Sequence, residues 1–217
     1  MIMHRNECYT HYFLGSIGND FAERFESIAK IRRKWILEKL GLKTAHNTEQ
    51  TSYIVKFSGN KYGRFRKNLI YCEFDDMLEV NEPFMHEECH DVTYRYWGIV
   101  PNFLFEGIAE YLLFLYLGKE YYPIQKRGRS KGQALNELEK LEPILLNNIE
   151  HNRIPDMKET YYYSAARSFV SFLFFKNGTK FVSEIFQLYS KKEYIDYYNS
   201  ISREYANWLA QERDTNV

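Results

Sequence analysis

Residues 86–110 read HEECHDVTYRYWGIVPNFLFEGIAE. Two histidines stand four positions apart, with a glutamate directly after the first. Two further glutamates, Glu106 and Glu110, interrupt FLFEGIAEYLLFLYLG, the most apolar stretch of the chain. A carboxylate inside an apolar helix is costly unless it meets a charge or donor of its own. The stretch is therefore either two ordinary helices with some stray polar residues or two helices facing a cation.

Helical geometry separates the two readings. Each residue of a helix turns about 100°, so positions four apart lie on one face, one turn apart. His86 and His90 can therefore both offer an imidazole nitrogen to one ion. Glu87 is offset around the helix, where it can reach a water on the ion without displacing a ligand, as the HExxH pattern requires. Two imidazoles leave zinc short of a third protein ligand, and a carboxylate from the following helix would complete the set. Gly98 and Pro101 break the first helix and let the chain fold back, which makes Glu106 the candidate ligand. Glu110, one turn further on, is placed to accept a hydrogen bond from the non-ligating nitrogen of a zinc histidine, His86 by preference, and so to orient the ring. The plain alternative is a structural or surface histidine pair with no metal.

Outward from this stretch, the N-terminal part reads as strands around one helix. Residues 8–14, 52–58 and 69–74 are rich in β-branched and aromatic residues and read as strands. Residues 19–40 place Phe21, Phe25, Ile28, Ile31, Ile36 and Leu40 near helical spacing, with a stop at Gly41. The segment GNKYGRFRKN between the last two strands reads as a polar, basic loop. After Asp76 the pattern is helical: 81–97, with Asn81 or Glu82 as cap and Pro83 in the first turn, then 102–118. Further helices are expected at 132–149, 159–176, 179–190 and 192–211, with Asn177-Gly178 as a C-cap. Strands first and helices second give an α+β fold. It is read as one domain over residues 1–217, with an N-terminal α/β lobe (1–80) and a helical lobe carrying the metal site (81–217).

Composition narrows the function classes. Lys plus Arg and Asp plus Glu number 29 each, so no overall field favours nucleic acid or an anionic membrane. KRGRSK at 126–131 is better read as a solvated loop than as a nucleic-acid patch. The three cysteines, Cys8, Cys72 and Cys89, have no paired spacing, which speaks against a disulfide framework or a cysteine zinc site. No apolar run is long enough for a transmembrane segment. The start, MIMHRNECYTHYF, lacks a signal-peptide core, which points to the cytoplasm; export or membrane attachment would go with a longer chain. His4, His11, His46 and His151 have no ligand spacing and read as surface or loop residues.

HEECH followed by PNFLFEGIAEY resembles the gluzincin, or thermolysin-like, branch of zinc metallopeptidases. It is most similar to compact peptidase MA-like domains, whose pattern is HExxH, a short span, then Pro-x-x-Leu-x-Glu-Gly-x-Ala-Glu-Tyr. Residues 163–186, YSAARSFVSFLFFKNGTKFVSEIF, resemble the downstream helix of those domains. The resemblance covers most of the chain, but only the metal motif is sharply specific. It implies a zincin-like fold, with zinc on His86, His90 and Glu106, and Glu87 as the general base that hydrolyses a peptide or protein substrate. It also implies a tyrosine donor to the developing oxyanion. Tyr163 aligns with that position, with Tyr161 and Tyr162 in the neighbouring registers. The strand before the active-site helix, 69–74, is then the cleft edge that pairs with an extended peptide. Two positions depart from the pattern. Glu88 and Cys89 stand where an apolar and a small residue are usual; Glu88 reads as a solvated or ion-paired residue and Cys89 as a small packed one. A contrasting function is a catalytically silent, metallopeptidase-like binding or regulatory module.

Overall fold

A computed structural model describes residues 1–5, 9–15, 17–43, 51–57, 62–74, 82–98, 102–117 and 159–180, and single residues or short pieces between 184 and 208. The architecture is mixed α+β, with a five-stranded sheet and helices. The chain divides into two compact units, Met1–Gly98 and Ile99–Val217.

The first unit holds the sheet, whose strands are β1 (Ile2–Arg5), β2 (Tyr9–Leu14), β3 (Thr51–Phe57), β4 (Tyr62–Arg66) and β5 (Leu69–Phe74). Their order in the sheet is β1-β2-β3-β5-β4. β2, β3 and β5 run parallel, and the outer strands β1 and β4 are antiparallel to their neighbours. The three interior strands coincide closely with the segments whose composition announced them. The two outer strands do not, and GNKYGRFRKN contains β4 rather than only a loop. Lys67 and Asn68 join β4 to β5, with Asn68 in the left-handed region at φ 58°. β5 is thereby paired on both sides, so it is not a sheet edge; the edge on that side is β4.

Helix α1 (Asn19–Lys39) crosses from β2 to β3, and its Phe21, Ala22, Phe25 and Ala29 pack on Phe13, Tyr53, Val55, Ile70 and Cys72 of the sheet. The expected apolar stripe is only partly the buried one. Ile31 is 60 % exposed, while Arg32 and Arg33 are buried. The rows descending from Phe25 and Ala29 reach positions 32, 33 and 36, so the arginines occupy the inner face. Helix α2 (Glu82–Trp97) completes this unit and packs on α1, β4 and β5.

In the second unit, α3 (Asn102–Leu117) packs along α4 (Glu159–Asn177). Phe103 meets Phe169 at 5.9 Å between ring centroids, and Tyr111 stacks on Phe174 at 4.8 Å. The described residues from 196 to 208 are helical, and Tyr205 and Trp208 pack on Phe172. The helix expected at 132–149, the basic segment 126–131, Cys8, His46 and His151 lie outside the described residues, as does most of 181–195. No helix among the described residues is long and apolar enough to cross a membrane.

Candidate metal centre

Helix α2 has two chemically distinct faces, and the sequence sets both. Around the wheel, at about 100° per residue, Glu88, Asp91 and Arg95 share one side, and His86 and His90 lie opposite. The helix ends at Gly98, whose amide donates to the Tyr94 carbonyl at 2.8 Å while the residue itself sits at φ 72°. That left-handed cap suits glycine and turns the chain out of the helix.

The Glu88 side is clamped by buried ion pairs. Arg32 Nε donates to Glu88 Oε2 at 2.7 Å and Arg32 Nη2 to Oε1 at 3.1 Å, with both side chains fully buried. Asp91 accepts from Arg33 at 2.8 Å, from Thr51 Oγ1 at 2.7 Å and from Arg95 Nε at 3.1 Å. Arg33 Nε donates to the Tyr53 hydroxyl at 2.6 Å. Charges this deep are tolerated because each is paired and hydrogen-bonded. Glu88 is therefore ion-paired but not solvated: it faces inward, away from the histidines. The clamp fixes the rotation of α2, and with it the direction in which the histidines point. Sequence reasoning missed Arg32, Arg33 and Asp91; the available signal was three charged residues at positions that helical periodicity assigns to an inner face.

On the opposite side His90 is buried and His86 half-buried. Their Nε2 atoms lie 2.9 Å apart, with the rings nearly perpendicular at 89°. Phe65 of β4 lies beside His90, 6.2 Å between ring centroids, and beside Tyr94 at 5.9 Å. One ligand atom each from His86, His90 and Glu106 all lie within 4.8 Å of one another. Tetrahedral zinc holding two imidazoles at ~2.05 Å sets the nitrogens ~3.3 Å apart, so the observed pair needs only a few tenths of an ångström of adjustment. Two imidazoles and a carboxylate are a donor set for zinc or ferrous iron, whereas magnesium and calcium call for oxygen donors. The residues present therefore fit zinc. Glu87, directly after His86, is buried on the same helix.

In the second unit Glu106 and Glu110 are both buried on α3. Gly107 between them is required by packing. A Cβ there would stand 2.6 Å from the Ala166 carbonyl oxygen and 2.7 Å from Val170 Cγ2, so only glycine lets α3 and α4 approach this closely. Tyr163 is a half-buried residue of α4; the side chains of Tyr161 and Tyr162 lie outside the described residues.

Cys72 and Cys89 are both free and buried, and burial together with the Glu88 carboxylate pushes both thiols well up. Protonated thiols are poor ligands and nucleophiles, so Cys89 acts as a small packed residue within the motif. His4 and His11 correct the surface-or-loop expectation. They face each other in register on β1 and β2, and His11 is buried. Their Nδ1 atoms lie 3.2 Å and 2.9 Å from the two oxygens of Glu26. Burial pushes His11 down from 6.5 to about 4, against the pull of Glu26 and with further lowering from Arg33 and His4. The imidazole is neutral at pH 7. The sequence matches no protein-family model, and no curated protein is detectably similar to it.

Proposed function

We propose that the chain is a zinc-dependent metallopeptidase of gluzincin type, with a zincin-like arrangement of sheet, HExxH helix and glutamate-bearing helix. The observation that carries this reading is the convergence of the His86, His90 and Glu106 donor atoms within 4.8 Å. The same donor set serves non-haem iron. A buried glutamate immediately after the first histidine favours hydrolysis, because oxygen activation does not call for a base there.

Zinc held by His86, His90 and Glu106 would supply Lewis acidity, making a water more acidic, toward a pKa of ~7, and polarising a carbonyl. Glu87 takes a proton from the attacking water as the new C–O bond forms, and delivers it to the amine nitrogen as the C–N bond breaks. On this reading Glu110 would hold the His86 ring through its second nitrogen, and Tyr163 would donate to the oxygen that gains negative charge. The substrate lies extended along β4, which replaces residues 69–74 as the cleft edge because β5 is already paired on both sides. Phe65 sets that edge beside His90.

Metal analysis of the purified protein tests the ligand set, with one zinc per chain expected. Glu87→Gln keeps the zinc and lowers turnover of a peptide library by about 10²–10⁴-fold, the usual worth of a general base. Full activity in that variant removes Glu87 from its role. A zinc-loaded wild-type protein that cleaves no peptide points instead to a silent binding module, and a metal-free protein with a folded helix pair ends the reading altogether.

A further inference from the structure

The free edge of the sheet carries a charge pattern that the metal site does not explain. β4 pairs with β5 on one side, and no strand among the described residues pairs with its other side. Such an edge presents unpaired backbone donors and acceptors, which can template an added strand. Along β4 the side chains alternate. Phe65 turns toward α2, where it meets His90 and Tyr94. Arg64 and Arg66 point to the opposite face, and both are exposed. Glu73 on β5 lies opposite Tyr62 in register and is already engaged by Lys56 at 3.6 Å and by the Tyr71 hydroxyl. Arg64 and Arg66 form no ion pair among the described residues. Exposed Lys67 extends the basic run at the end of the strand.

We infer that Arg64 and Arg66 make the β4 edge selective for acidic peptide segments with carboxylates two residues apart. This inference rests on the reading of β4 as the substrate edge. A strand added to β4 places one residue opposite each arginine, at cross-strand separations of ~4.5–5.5 Å between Cβ atoms. Successive residues of that strand alternate between faces, so a Glu-x-Glu pair meets both arginines while the residue between them turns to the Phe65 side. The chain as a whole is neutral, with 29 basic and 29 acidic residues, so the preference is local to this edge. A nucleic acid would be drawn by a broad basic surface, whereas two guanidiniums at a strand repeat of two match carboxylates on a peptide.

The test uses fluorescently labelled peptides identical except for Glu-x-Glu or Gln-x-Gln, with the pair stepped along the sequence. Binding is read by anisotropy to zinc-loaded Glu87→Gln protein, and cleavage separately on the wild type. The acidic peptide in the best register binds about tenfold tighter than its glutamine twin, and the ratio shrinks as salt is raised toward ~1 M. In Arg64→Gln/Arg66→Gln the ratio falls to near one, while Lys34→Gln, on an exposed part of α1, leaves it intact. Equal binding of the two peptides, survival of the preference in the double variant, or equal competition by a short single-stranded oligonucleotide overturns the inference. The two proposals fail separately. Preference without cleavage removes the peptidase and leaves the charged edge; cleavage without preference does the reverse.

Discussion

Arg32→Met tests the clamp that orients the histidine helix. In the native fold Glu88 is fully buried and accepts two hydrogen bonds from Arg32, at 2.7 Å and 3.1 Å. Among the described residues its other hydrogen-bond contact is the Tyr53 hydroxyl at 3.5 Å, at the outer limit of a bond. Methionine fills the space of the arginine stem but leaves the carboxylate without its counter-charge. Breaking a buried pair from one side costs about 3–5 kcal/mol, since the remaining charge stays desolvated. For a chain of 217 residues, each kcal/mol moves Tm by about 2–4 °C, so Arg32→Met melts roughly 6–20 °C below wild type. Glu88→Met leaves the buried Arg32 guanidinium without its partner in turn and costs about the same 3–5 kcal/mol. Arg32→Met/Glu88→Met removes both charges and returns to within about 2 kcal/mol of wild type, because neither desolvation penalty remains. Urea melts of the four proteins at pH 7 close a double-mutant cycle, with a coupling energy of at least about 4 kcal/mol expected from these costs. Single variants that melt with the wild type, or a double variant no better than the worse single, would refute the claim that this pair holds α2.

Acid should weaken the fold through His11. Its folded pKa lies below the ordinary value, at about 4 against 6.5, so the unfolded chain binds the proton first as pH falls. The stability held by neutral His11 is complete above about pH 6.5 and is lost toward pH 4, by at most about 3 kcal/mol. His11→Phe, placed among the rings of Phe13, Phe25 and Tyr53, removes that part of the slope; urea melts at pH 7.5 and 4.5 that change equally in both proteins contradict the assignment. Gly107→Ala gains about 1 kcal/mol in helix propensity but forces its Cβ against the Ala166 carbonyl, and the clash of about 1–3 kcal/mol wins. Calorimetry therefore shows a lower Tm, and a rise would mean that α3 and α4 are not in this close contact.

The candidate site was legible to the extent that it obeys local geometry. Four-residue spacing puts His86 and His90 on one face whatever surrounds the helix, and the break at Gly98 and Pro101 announces a second helix bearing Glu106. Buried glutamates in an apolar helix likewise demand an explanation before any coordinates exist. The interior strands were legible for a similar reason. β3 and β5 are covered on both edges and carry the β-branched and aromatic residues that such positions require.

The outer strands were not legible, because an edge strand satisfies half its backbone with water and tolerates charge. YGRFR reads as a loop until β5 lies beside it. The inward turn of Arg32, Arg33, Glu88 and Asp91 was equally hidden. These partners stand 56 and 58 residues apart, and a charged residue in isolation reads as solvated. His11 was misjudged for the same reason, since only the packing of α1 over β2 excludes water from it.

The amino-acid order alone settled which side chains share a turn of helix and where helices α1 and α2 must stop, because those depend on bond geometry and on neighbours a few positions away. Tertiary structure alone decided which charges are buried together, which strand forms the edge beside His90, and why position 107 has no side chain. Those depend on segments meeting across dozens of residues, and the free energy of such meetings is carried by desolvation and packing that no short stretch of sequence contains.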